Sequence, residues 1–128
     1  MKTILIVCAD SHIQKALQKL VQTLLTELRS IGPAKVLSTD SMDEAIYLIG
    51  EREVDLLMID HQLPGMDAFR LIESIDNAPI EMAKVLIVKD KPTVANLVRI
   101  AELGIDEIMI RPLRRDDLKR ILQMLIAR

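Results

Sequence analysis

The chain has 128 residues, half of them apolar, and a formal net charge of −2 at pH 7. That length suits a single domain whose core needs neither a disulfide nor a metal to hold it. One cysteine, Cys8, excludes an intrachain disulfide and a cysteine-based zinc site, and charges of both signs scattered along the chain exclude a basic nucleic-acid face.

Five short apolar runs alternate with helical patterns. Thr3–Cys8 (TILIVC) opens the chain as a near-continuous apolar segment, the form taken by a strand covered on both faces. From Ser11 to Arg29, Ile13, Leu17, Leu20, Val21, Leu24 and Leu28 recur at spacings of three and four. Asp10 or Ser11 caps that helix and Gly32-Pro33 ends the segment. Lys35–Thr39 (KVLST) is more polar, which places it at a sheet edge. A second helix carries Met42, Ala45, Ile46 and Ile49 and stops at Gly50. Val54–Asp60 (VDLLMID) is the third strand, and the helix after it runs from about Asp67 to Ile75. Lys84–Val88 (KVLIV) is the fourth strand, followed by a helix that starts after Lys91-Pro92 and ends at Gly104. Glu107–Ile110 (EIMI) is the fifth strand, and the last helix, from Arg115, carries Leu118, Ile121, Leu122 and Leu125.

This fivefold βα alternation specifies an α/β fold, a parallel sheet with helices on both faces and right-handed crossovers. There is no linker, repeat or low-complexity segment, so residues 1–128 are expected to form one domain. The first apolar run is too short for a signal peptide, and no stretch reaches membrane-spanning length, so a cytoplasmic protein without a membrane partner is expected. Tyr47 and Phe69 are the only aromatic residues, too few for base-stacking nucleic-acid modules or a ring-stacked flavin.

In an open parallel sheet, ligands bind at the carboxyl ends of the strands. The first strand delivers Cys8, Ala9 and Asp10 there, the third Asp60, His61 and Gln62, the fourth Lys89 and Asp90, and the fifth Arg111 and Pro112. One carboxylate, Asp60, and two cations, Lys89 and Arg111, should therefore converge. No GxGxxG or GxxxxGK[ST] follows the first strand, which argues against a nucleotide-binding enzyme. Cys8 with His12 or His61 lacks the orienting third group of a nucleophilic pair and reads more simply as a small buried hydrophobe.

The run DLLMIDHQLPGMDAF resembles the phosphoacceptor strand and loop of response regulator receiver domains. RPLRRDDL is similar to that family's Lys-Pro motif and the helix beyond it, ILIVCADSH to its first strand, and GIDEIMI to the approach to its fifth strand. The resemblance covers the whole chain. It implies a doubly wound (βα)5 three-layer sandwich of flavodoxin type, with strand order 2-1-3-4-5. It implies a signalling module of two-component phosphorelays rather than an enzyme.

Carried over by position, the resemblance makes Asp60 the phosphoacceptor. The family's acid pair falls on Cys8 and Ala9, its Thr or Ser on Lys89, its Lys on Arg111 and its switch aromatic on Ile108. Gln62 takes the place whose backbone carbonyl helps bind magnesium. Cys8 and Ala9 offer no side-chain oxygen to a hard cation, so no cofactor is expected; magnesium belongs only to the alternative of a conventional receiver phosphorylated on Asp60 by a histidine kinase. Asp10 is counted in the pocket, although one residue late and suited to capping the first helix. Lys89 is expected to reach the metal's space, pair with Asp60 and lower its pKa. Lys89 has no hydroxyl and Ile108 no ring, so switching needs another device. An impaired, atypical receiver acting through protein contacts is the expected function. Its partner is a protein, a histidine kinase or a phosphotransfer protein. The face made by the fourth helix, the fifth strand and the fifth helix is a possible homodimer surface, with Leu97, Ile100, Leu103, Met124, Ile126 and Ala127 as its apolar candidates.

Overall fold

The computed structural model describes residues 1–63, 66–75 and 81–126, the side chains of 62, 63 and 66 excepted. Five parallel strands form one sheet: β1 (Lys2–Val7), β2 (Ala34–Thr39), β3 (Leu56–Asp60), β6 (Ala83–Val88) and β7 (Glu107–Ile110), ordered β2-β1-β3-β6-β7. Counted along the sheet strands alone, that is the 2-1-3-4-5 order of a flavodoxin-like fold. A two-residue antiparallel ladder, β4 (Gln62–Leu63) with β5 (Met66–Asp67), follows β3 and was not foreseen from the sequence. The described residues also form five helices: α1 (Ser11–Glu27), α2 (Met42–Glu51), α3 (Ala68–Ser74), α4 (Val94–Glu102) and α5 (Arg115–Ile126).

Period-two alternation in the strands builds two cores, one on each side of the sheet. Ile4, Ile6, Leu56, Met58, Val85, Ile87 and Met109 face one way, against Leu17, Val21 and Leu24 of α1 and Leu118, Ile121 and Leu122 of α5. Leu5, Val7, Leu57, Ile59, Leu86 and Val88 face the other, against α2, α3 and α4. The three central strands are almost wholly buried and aliphatic, whereas β2 at the edge is only partly covered, as its polarity predicts.

Caps set most boundaries. Asp10 accepts hydrogen bonds from the His12 and Ile13 amides and starts α1. Ser41 caps α2, Asp67 α3 and Thr93 α4. Gly104, at φ 68°, follows the end of α4 in the left-handed region that favours glycine. Several boundaries differ from expectation: the first strand ends at Val7 rather than Cys8, the third starts at Leu56 rather than Val54, and α4 ends at Glu102, short of Gly104. Helix α1 closes at Glu27, with Leu28 as its C-cap, rather than at Arg29. Helix α2 runs through Gly50 to Glu51, because Gly50 keeps helical backbone and the Arg52 amide still bonds the Leu48 carbonyl. No helix among the described residues is long and apolar enough to cross a membrane.

Candidate functional site at the carboxyl edge of the sheet

The register carries four side chains to one corner. Cys8 lies one residue beyond β1, Asp60 ends β3, Lys89 follows β6 and Arg111 follows β7. Each stands two residues after an inward residue of the α1/α5 face: Ile6, Met58, Ile87 and Met109. Alternation therefore directs all four towards that face. The ladder continues past the strand ends, with the Cys8 amide bonded to the Thr39 carbonyl and the Arg111 amide to the Val88 carbonyl.

Asp60 is 4% exposed, and it and Thr39 are the only buried polar or charged residues among those described. A buried carboxylate needs charged or hydrogen-bonding partners, since desolvation otherwise penalises its ionised form. The Arg111 guanidinium supplies one as an ion pair and hydrogen bond to Oδ2. The Cys8 thiol supplies another, donating to the same oxygen at 3.5 Å. The thiol also lies 3.6 Å from the Asp10 carbonyl, and Gln14 Nε2 holds the Cys8 carbonyl at 3.1 Å. Burial pushes the Cys8 thiol above its ordinary pKa. The Asp10 backbone and the Arg111 charge act against that rise, and the Asp10 carboxylate adds to it. Cys8 thus serves as a neutral donor against Asp60, not as a thiolate.

Beyond this corner lies a cavity of about 220 Å³ between the strand ends and α4, with Asp60, His61, Lys89, Lys91, Thr93 and Arg111 among its lining residues. The His61 ring packs edge-on against Phe69, with centroids 4.9 Å apart and planes at 62°. His61 Nδ1 and Arg111 Nε are both buried without a hydrogen-bond partner among the described residues. A second, more apolar groove of about 610 Å³ runs between Ile13, Leu17 and Leu20 of α1 and Pro112 and Leu113, and Lys89, Asp90 and Arg111 border both spaces.

The expected site residues fall into three groups. Asp60, Lys89 and Arg111 converge as the strand order requires. Lys89, however, is exposed and joined to Asp60 by no ion pair or hydrogen bond among the described residues; Arg111 takes that place. Asp10 does not line the cavity of Asp60, because its carboxylate is committed to the N-terminus of α1. Gln62 opens β4, paired with Asp67, and its side chain lies outside the described residues. Ile108 is partly buried in β7 against the α2/α3/α4 core and does not line the cavity. Lys91 and Thr93 were missed as lining residues; the helix start just after Pro92 was the signal that placed them at this edge.

Magnesium needs several oxygen ligands, carboxylates foremost. The residues present do not fit it. Cys8 offers a protonated sulfur, Ala9 a methyl group, and Asp10 is held in a cap. Among the described residues, no group of three His, Cys, Asp or Glu side chains is placed to hold a metal.

The parallel sheet in this order, with an aspartate at the end of its central strand and a cation opposite, defines a receiver domain. The chain belongs to the response regulator receiver domain family, whose model matches residues 4–123, and it is accordingly a receiver domain of two-component signalling. Among relatives, the Regulator of RpoS of Escherichia coli K12 is 30% identical over 98 residues, covering 77% of this chain and 28% of that protein. The two-component response regulator ARR6 of Arabidopsis thaliana is 24% identical over 124 residues, covering 88% of this chain and 63% of the relative. The chain therefore spans only part of the length of these relatives. A CheY-like receiver domain protein of Methanospirillum hungatei superposes with a TM-score of 0.79 at 25% identity, covering 98% of this chain and 94% of its own. The non-phosphorylated HemR receiver domain of Leptospira biflexa gives 0.82 at 20% identity, covering 100% and 96%.

Proposed function

We propose that this receiver signals through protein contacts without magnesium-dependent phosphorylation of Asp60. The observation that carries the reading is the state of Asp60: its carboxylate is buried, ion-paired to Arg111 and hydrogen-bonded by the Cys8 thiol. The Cys8 thiol and Ala9 methyl group stand where the family resemblance places the metal's acids. A phosphoryl group arriving at Asp60 would have to displace the guanidinium without a metal to neutralise the developing charge. The domain acts as a signalling module rather than an enzyme, and needs no cofactor.

The partner surface is the face of α4, β7 and α5. Val94, Leu97 and Val98 of α4, Ile110 of β7 and Met124 of α5 are large apolar side chains left exposed. Ile100 and Ile126, expected on this face, belong instead to the core, and Ala127 lies outside the described residues. The occupant is a protein of the signalling pathway or a second copy of the chain.

A magnesium titration followed by amide NMR tests the reading, with Asp60→Asn as reference. The expected result is no saturable shift at residues 8, 9 and 60. Saturable shifts there that vanish in Asp60→Asn would overturn it. The second reading, a conventional phosphoacceptor, is favoured by one observation: Lys89 and Arg111 both border the cavity onto which Asp60 opens, as a phosphoryl clamp would.

A further inference from the structure

We propose that a second copy of the chain joins this one edge to edge along β7, antiparallel, so that the two five-stranded sheets become one. This rests on the reading of the α4, β7 and α5 face as the partner surface, and says how a copy sits there. β7 ends the sheet, and no strand lies beyond it among the described residues. An uncovered edge is a template for another strand, which natural sheets blunt with charged side chains or proline. The other edge, β2, has Pro33 before it and carries the exposed Lys35. β7 has only Ile108, Met109 and Ile110 between the charged residues Glu107 and Arg111, and Ile110 is 48% exposed.

Hydrogen bonding along β6 fixes which groups of β7 face outward. The Ala83 amide bonds the Asp55 carbonyl and the His61 amide the Ile87 carbonyl, so Ala83, Val85 and Ile87 turn to β3 while Lys84, Leu86 and Val88 turn to β7. Val85 lies opposite Glu107 and Val88 opposite Ile110, and the Arg111 amide bonds the Val88 carbonyl. In a parallel ladder of that register, Glu107, Met109 and Arg111 turn their backbone groups to β6. Asp106, before the strand, caps it separately, with its amide on the Lys84 carbonyl and its carboxylate on the Lys84 amide. The amides and carbonyls of Ile108 and Ile110 therefore point out along the sheet edge.

The run EIMIR, from Glu107 to Arg111, matches its own reverse. Paired antiparallel about a two-fold axis at Met109, Ile108 meets Ile110 of the second copy as a pair that exchanges both N–H···O bonds, and Glu107 meets a residue of opposite charge. Backbone and side chains agree in that register. Alternation puts both isoleucines on the α4 side of the sheet, where Val94, Leu97 and Val98 are exposed, so aliphatic side chains close over the junction. Beside the strand, a cavity of about 380 Å³ lined by β7 and by Arg114, Asp117 and Arg120 of α5 leaves room for the incoming chain. Its charges are of both signs and Arg120 is bridged to Glu107, so a symmetry-related copy meets no field of one sign.

Sedimentation velocity together with amide hydrogen exchange by NMR, on the full chain over a range of concentrations, tests this. The expected result is a dimer in which exchange at Ile108 and Ile110 slows about tenfold as the monomer is consumed. Val36 is the internal control: the bonds from the Lys2 amide to Pro33 and from the Cys8 amide to Thr39 turn it outward on the β2 edge, and its rate should not change. Ile110→Pro removes one outward N–H, leaves the bond from the Arg111 amide to Val88 in place, and should weaken dimerisation about tenfold. Tyr47→Lys, at an exposed position on α2, should leave the dimer as it is. A monomer at every concentration, or a dimer whose Ile108 and Ile110 amides exchange as in the monomer, would overturn the proposal. Loss of that second kind of dimer in Val98→Asp would keep the partner face while striking the strand pairing; its persistence would strike both.

Discussion

Arg111 and Asp60 are the pair on which the account turns at the scale of single residues. Removing one partner of a buried, hydrogen-bonded charge pair leaves the other desolvated, which costs about 3–5 kcal/mol. Arg111→Met should lower stability by that amount in urea denaturation. Asp60→Asn should lower it less, because it removes the buried charge itself. An Arg111→Met variant as stable as the parent would mean that the pair behaves as an exposed one, worth little. The convergence of Cys8, Asp60, Lys89 and Arg111 was legible in the sequence, because alternation from Ile6, Met58, Ile87 and Met109 fixes the side of the sheet they face. Which cation would take the carboxylate was not. Lysine and arginine both have long flexible stems, and the choice depends on the space each finds in the folded chain. The planar guanidinium took the buried position and the ammonium of Lys89 stayed in solvent.

Elements show the same division between pattern and tertiary detail. Strand and helix order followed from periodicity, and Thr93 just after Pro92 opens α4 where the sequence breaks. The errors lie at ends. Gly50 reads as a stop signal, yet the packing of Ala45 and Ile49 carries α2 one residue further. Ile126 is expected on the partner face, yet it lies four residues after Leu122 and so returns to the same buried face. The short β4–β5 ladder had no apolar period to announce it. Helix α4 carries the prediction at this scale. Val98 is 53% exposed, so Val98→Asp should leave the melting temperature unchanged while abolishing self-association in sedimentation velocity. A parent chain that stays monomeric at every concentration would exclude the second copy as the occupant of this face and leave a different protein partner.

For the whole molecule, the sheet is that of the family, and the proposed function turns on the side chains at its edge. Two cores of aliphatic side chains fix the strand order, and that order brings Asp60 to the edge whatever surrounds it. The surroundings then decide what the aspartate does: a neutral thiol and a guanidinium in contact, lysines at the rim, and no adjacent pair of acids. Such a site holds a carboxylate in place more readily than it gathers a divalent cation. Intact-mass spectrometry of the full chain after incubation with acetyl phosphate and magnesium tests this most directly. The account predicts an unchanged mass; a gain of one phosphoryl group, lost in Asp60→Asn, would contradict it.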